Sequence, residues 1–183
     1  ILSLLLAAFV GGNTLSAQTI TKNEDGKYSL SVGHVTLTVD AQKGGKIVSY
    51  RYDDKEILSQ TKIPNSFGST FWTSPQSEWN WPPVPEYDTK PFNAEVAGDK
   101  LILTGEKSKR FGYRVRKELT TDKKDNAIVI TYTIINESGE TRKVAPWEIS
   151  RVPNGGILFF DAKEVTPANN METMPFVYEK KAA

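Results

Sequence analysis

YSLSVGHVTLTVD, Tyr28–Asp40, decides the fold. Tyr28, Leu30 and Val32 alternate with serines, Gly33-His34 interrupts, and Val35, Leu37 and Val39 resume the alternation with threonines. A period of two puts one set of side chains on one face of a strand, so the stretch predicts two short antiparallel strands joined by a tight turn. Reading downstream, GGKIVSYRYDDKEIL (Gly44–Leu58) continues the pattern. Gly44-Gly45 opens a strand with Val48, Tyr50 and Tyr52 on one face, and Asp53-Asp54-Lys55 turns the chain back into Glu56-Ile57-Leu58. Ser59 to Pro91 is polar, proline-rich and aromatic without a period, and reads as an excursion off the sheet. Phe92–Val96, the turn Ala97-Gly98-Asp99 and Lys100–Thr104 form a second hairpin, and Tyr113, Val115 and Leu119 lie along a further strand. AIVITYTII, Ala127–Ile135, has the nearly continuous β-branched character of a strand buried on both faces. Asn136-Glu137-Ser138-Gly139 turns it, Thr141–Val152 follows as its expected antiparallel partner, and Ile157–Phe160 precedes a weakly patterned tail. Strands joined by short turns, with no helix between them and no internal repeat, predict a single all-β domain, an antiparallel sandwich.

Upstream, ILSLLLAAFVGGNTLSA (Ile1–Ala17) is an uncharged apolar run ending in small residues, the pattern of a secretory signal peptide. No Met and no basic segment precede it, so the signal is read as clipped and residues 18–183 as the exported domain. The run from Ile1 to Val10 is shorter than the ~20 apolar residues a spanning helix needs. Lys and Arg number 23 against 22 Asp and Glu, which gives no reason to expect nucleic acid or an acidic membrane as partner. The chain has no cysteine, which excludes disulfides, thiol catalysis and thiolate metal sites. An exported chain held together by burial alone points to a bacterial periplasmic or secreted setting.

No P-loop, dinucleotide fingerprint or nucleophile elbow occurs, and no cofactor is expected. One histidine, His34, cannot form a His-based metal site, and its place between strands makes it a turn or sheet-edge residue, with a proton-transfer role as the alternative. Asn136-Glu137-Ser138 matches a glycosylation sequon but also suits a turn. FGSTFWTSPQSEWNWPP, Phe67–Pro83, holds three of the four tryptophans. Flat aromatic faces and hydroxyl-pairing side chains are what a sugar ring needs, and here Gln76, Glu78 and Asn80 are interleaved with Trp79 and Trp81. In an extended segment Trp79 and Trp81 share one side, Glu78 and Asn80 the other. The competing reading makes the tryptophans ordinary core at the open end of the sandwich.

APWEISRVPNGG, Ala145–Gly156, is a second cluster, in which Trp147 packs and Glu148, Ser150 and Arg151 are polar. Glu148 is a candidate general base and Arg151 a candidate donor to a ring or carboxylate oxygen; the alternative is a cross-strand ion pair worth ~0.2 to 1 kcal/mol. Lys107, Lys109, Arg110, Arg114 and Arg116 read as a solvated sheet face, with Arg110 also a candidate ligand grip.

These stretches resemble a known family. GGKIVSYRYDDKEIL is similar to the early hairpin of galactose mutarotase-like proteins. GSTFWTSPQSEWNWPP, ITYTIINES and APWEISRVPNGG look like one secreted bacterial branch of that superfamily, of unassigned function and frequent in Bacteroidetes-type organisms. The resemblance spans most of Tyr28 to Tyr178 and implies a partial β-supersandwich with a carbohydrate-binding surface on its concave sheet. The enzymatic relatives interconvert sugar anomers with a His acid and a Glu base. This chain departs from them: His34 falls too early for the acid, the base belongs to late strands the chain does not reach, and the domain is expected to be incomplete at its C-terminal end. Only Glu78 and Glu148 remain as candidate catalytic groups. The expected function is therefore binding of a sugar or polysaccharide through Trp79, Trp81, Gln76, Glu78, Asn80, Trp147, Arg151 and Arg110. An aldose 1-epimerase-type isomerase is the alternative, and a structural module whose aromatics face another protein is a third reading.

Overall fold

A computed structural model describes residues 20–63 and 66–155. The apolar leader at residues 1–17 and the Ile157–Phe160 run lie outside the described residues. Two antiparallel sheets face each other, as the alternation predicts. The first contains β1 (Ile20–Lys22), β2 (Tyr28–Val32), β3 (Val35–Asp40), β4 (Lys46–Tyr52), β5 (Lys55–Glu56), β6 (Ser69–Ser74) and β11 (Ala145–Ser150), in the order β1-β2-β3-β4-β6-β11 with β5 paired to β4. The second contains β7 (Asn93–Ala97), β8 (Lys100–Thr104), β9 (Tyr113–Asp122) and β10 (Ala127–Asn136), in the order β10-β9-β8-β7. Leu30, Leu37 and Val39 from the first sheet and Leu101, Leu103, Val115 and Leu119 from the second bury their side chains in one core. Removing such apolar surface from water, at ~25 cal/mol per Å², is what holds a cysteine-free sandwich together.

Four local expectations change. On β4, a bulge opposite Thr38/Val39 leaves Val48 without a pair, so Val39 meets Ile47 while Leu37 meets Tyr50. The extra residue resets the alternation: Ile47 and Tyr50 reach the core, and Tyr52 is exposed. The segment from Ser59 to Pro91 is not wholly an excursion, because Ser69–Ser74 is a full strand between β4 and β11. Within the described residues, β10 is an edge strand rather than one buried on both faces; Ile128, Ile130, Tyr132 and Ile134 face inward while Val129 is exposed. β11 does not return beside β10 but crosses to the other sheet and pairs with β6, setting Trp147 against Trp72 and Glu148 against Phe71.

The single register pair between β4 and β6 is Ile47 with Ser69. Beside the rest of β6 packs a short helix, α1 (Pro85–Asp88), fastened by Gly44 N to Lys90 O at 2.8 Å and Phe92 N to Ala41 O at 2.7 Å. Gly44 makes this approach possible. Its φ is +65°, and a Cβ there would lie 2.4 Å from the Asp88 carbonyl oxygen. Gly44→Ala is expected to cost more than about 2 kcal/mol, combining left-handed strain with backbone overlap; a urea midpoint equal to that of the wild type would contradict this packing.

The alternation Tyr113, Val115, Lys117, Leu119 puts a lysine in the inward row of β9. Lys117 is 3% exposed and ties the sheets together, its Nζ donating to Gly44 O and Gly45 O, each at 2.9 Å. The rings of Phe71, Phe92 and Tyr132 surround it at 5.7, 5.3 and 5.8 Å. Burial pushes its pKa down to about 8, against the opposing fields of Glu148 and Asp88. The charge run around this strand is otherwise a solvated face, with Arg114 paired to Glu137 at 3.0 Å and Lys100 to Glu118 at 2.9 Å.

Candidate functional site

All four tryptophans meet at one place. Alternation along β6 directs Phe71 toward the second sheet, where it stacks on Tyr132 at 4.8 Å, and leaves Trp72 on the opposite face. Trp147 is its register partner on β11, so the two rings meet edge to face at 5.6 Å. Trp79 and Trp81 approach the same ring at 5.8 and 6.0 Å, also edge to face. Trp72 is thus the hub, and edge-to-face aromatic pairs add about 0.5 to 1.5 kcal/mol each beyond burial. Its Nε1 donates to Asp88 Oδ1 at 2.8 Å, which links the hub to α1.

Trp79 and Trp81 do not share a side. After β6 the chain enters a 3-10 turn, Gln76–Glu78, and Asn80 adopts φ of 57°, so the segment is not extended and the period-two argument does not apply. Trp79 is 3% exposed, with its Nε1 donating to Thr73 O at 2.8 Å; it is core, and Trp81, 69% exposed, is the ring offered to solvent. Trp72 and Trp147 are half-buried beside it. Gln76 and Asn80 are exposed, and their backbones close the turn through Asn80 N to Gln76 O at 2.7 Å.

Glu78 turns inward. Its Oε1 accepts from Tyr113 Oη at 3.3 Å and lies 3.7 Å from Arg142 Nη1, while Oε2 is buried without a partner among the described residues. Burial, followed by the Glu78 charge, raises the Tyr113 pKa. Arg110 spends its guanidinium on the loop itself, donating to Glu78 O at 3.2 Å and Trp79 O at 3.4 Å while stacking on Phe111. It holds the tryptophan segment in place and, being exposed, keeps its remaining N–H donors open to solvent.

Glu148 and Ser150 do share one face, and Ser69 Oγ bridges them, donating to Glu148 and lying 2.8 Å from Ser150 Oγ. That face is the one that carries Phe71 and looks toward Tyr132, where Glu148 and Ser150 nonetheless stay exposed, whereas Trp147 stands on the other face of β11. Glu148 therefore does not address a ring stacked on the tryptophans. Burial, with Glu148 beside it, raises the Tyr132 pKa. Arg151 stands at the cluster: its guanidinium lies over Trp72 at 5.9 Å and donates to Thr70 Oγ1 at 3.1 Å. His34 is exposed on the β2–β3 turn, its Nδ1 2.6 Å from Asp53 Oδ1, as a turn residue would be. Asn136 uses its side chain in its own turn, donating to Glu140 O at 2.7 Å and accepting from Ser138 N at 3.1 Å.

Sequence reasoning missed Trp72 as the hub, Asp88 as its partner, and Lys46. Trp72 could have been found by pairing FGSTFWTS with APWEIS as neighbouring strands. Among the described residues no group of His, Asp and Glu is arranged to hold a metal ion, and no helix is long and apolar enough to cross a membrane.

No family model and no curated protein matches the chain. Among solved structures it is similar to a 4-alpha-glucanotransferase from Thermococcus litoralis, at 15% identity over 62% of this chain and 23% of that one, with a TM-score of 0.39. The chain spans less than a quarter of that protein's length, and a likeness at this TM-score carries no argument about fold or function.

Proposed function

We propose that the protein is an exported, galactose mutarotase-like β-sandwich that binds a sugar or polysaccharide on the tryptophan cluster. The observation that carries this reading is the exposed indole of Trp81, edge to face at 6.0 Å against Trp72, which in turn packs on Trp79 and Trp147. A large aromatic left in water but fixed in orientation is a platform for the C–H face of a pyranose. Trp147 and Trp72 extend it, Arg151 supplies guanidinium donors at its margin, and Gln76 and Asn80 are exposed on the same loop. The resemblance of GGKIVSYRYDDKEIL and the tryptophan segment to mutarotase-like proteins supports the supersandwich assignment and the periplasmic or secreted setting. The isomerase alternative draws less support from the geometry, because Glu148 faces away from the platform and Glu78 is turned toward Tyr113 and Arg142.

Binding to a panel of polysaccharides and oligosaccharides, measured by calorimetry on wild type and Trp81→Ala, tests the reading. The substitution is expected to weaken binding at least tenfold, about 1.4 kcal/mol, with the thermal melt unchanged. Equal affinity for every bound sugar would overturn it. Anomer exchange of α- and β-galactose in the presence of the protein, followed by NMR saturation transfer, is expected to stay at the buffer rate.

A further inference from the structure

Beside the tryptophans stands a lysine that makes no direct ion pair among the described residues, the carboxylate in its range being engaged with Trp72. Lys46 immediately precedes Ile47, whose side chain enters the core and whose pair on β6 is Ser69. Lys46 therefore lies on the other face of β4, the face that carries Thr70 and Trp72 on β6. The residue is 5% exposed, with its Nζ 3.8 Å from the centroid of the Phe67 ring. Among the described residues it has neither an ion pair nor a side-chain hydrogen bond. Arg151 borders the same spot. Its backbone N donates to Gly68 O at 3.1 Å, and its guanidinium rests between Thr70 Oγ1 and the Trp72 ring. The two cations are close enough that the charge of Arg151, after burial itself, lowers the Lys46 pKa. Asp88 is the carboxylate in range, and its Oδ1 accepts from Trp72 Nε1.

Holding a largely covered lysine beside a second cation costs stability, and a π-face offsets only part of that cost. Folds accept such violations where a ligand supplies the missing charge. A neutral sugar can accept a hydrogen bond from Arg151 but makes no use of a second positive charge. An oxyanion on a saccharide satisfies both at once, taking charge-assisted hydrogen bonds from an ammonium and from the guanidinium donors that Thr70 leaves free.

We propose that Lys46 and Arg151 form an anion-binding corner at the margin of the tryptophan platform, and that the saccharide bound there carries an acidic group, a carboxylate or a sulfate. The proposal rests on the carbohydrate-binding reading and adds the ligand's charge class. Trp72 joins the two parts, 6.0 Å from the Trp81 ring and 5.9 Å from the Arg151 guanidinium carbon.

Calorimetry on the full chain with neutral galactan, oligogalacturonate and sulfated galactan oligomers of equal length tests it. At least one acidic oligomer is expected to bind ten times more tightly than the neutral one, and the stronger arm tells carboxylate from sulfate. Lys46→Met and Arg151→Gln are each expected to reduce that preference at least tenfold. Lys46→Met replaces the ammonium over the Phe67 ring with an unbranched apolar side chain and is expected to melt no lower than wild type. Should a variant fail to fold, the acid-to-neutral ratio of wild type and its fall with added salt decide. Neutral and acidic oligomers bound alike would overturn the acidic corner while leaving the carbohydrate reading in place; no binding of any oligomer would overturn both. Inorganic sulfate binding as tightly as the sulfated oligomer would make this an ion site and end the saccharide claim.

Discussion

Trp79→Ala is expected to lower the unfolding free energy by about 3 to 5 kcal/mol, whereas Trp81→Ala, two residues on, should leave it within about 0.5 kcal/mol. The contrast follows from where each indole goes. Trp79 is buried, packs against Trp72 and Trp147 at 5.8 and 6.4 Å, and its N–H has Thr73 O as partner. Alanine there opens a large cavity, orphans a buried carbonyl and withdraws one wall from the hub. Trp81 has little surface to lose, because most of its ring is already in water. Equilibrium urea unfolding of the two variants beside wild type reads the difference directly, and similar losses for both would mean that the cluster is ordinary core. Joined to the binding measurement, the pair separates platform from buttress: Trp81→Ala loses ligand and keeps stability, and Trp79→Ala loses stability first.

Lys117→Ala is expected to destabilise the protein by about 3 kcal/mol or more, since it empties a core position and leaves the Gly44 and Gly45 carbonyls unpaired. Lys117→Met, which fills the space, isolates the charge. The folded pKa is about 8 and the ordinary value 10.5, so below pH 8 both states hold the proton and the lysine adds no pH dependence. Between pH 8 and 10.5 the unfolded chain binds more protons than the folded one, so stability rises with pH across that window. The full rise corresponds to about 3 kcal/mol. Wild type is therefore expected to gain on Lys117→Met as pH increases from 7.5 to 9.5, with other titrating groups cancelling in the difference. Parallel stability curves for the two proteins over that range would show that the lysine carries no buried charge.

Local pattern told most where one face of a strand is wet and the other dry. YSLSVGHVTLTVD predicts β2 and β3 with their turn, and the hairpin of β7 and β8 follows from Gly98-Asp99 between alternating runs. The same rule fails at β4, where a single unpaired residue shifts Ile47 rather than Val48 inward, since a bulge has no signature in a period-two count. It fails again at β10. Composition reports that a segment prefers extended backbone, but how many neighbours it acquires depends on which strands arrive beside it.

The candidate site divides along the same line. That Phe67–Pro83 and Ala145–Gly156 hold the tryptophans is written in the chain, and so is the all-β class, because both need only residue type and short-range spacing. Which indole is core and which is platform is not. A 3-10 turn and a left-handed Asn80 separate Trp79 from Trp81, and β11 crossing to pair with β6 brings Trp147 to Trp72 and turns Glu148 to the other side. Strand partners far apart in sequence are chosen by the global packing of two sheets, whose energy no local window contains. Lys117 and Lys46 show this most sharply: as residues in a sequence they look alike, and tertiary packing alone makes the first an interior tie and the second a largely covered cation on the tryptophan face.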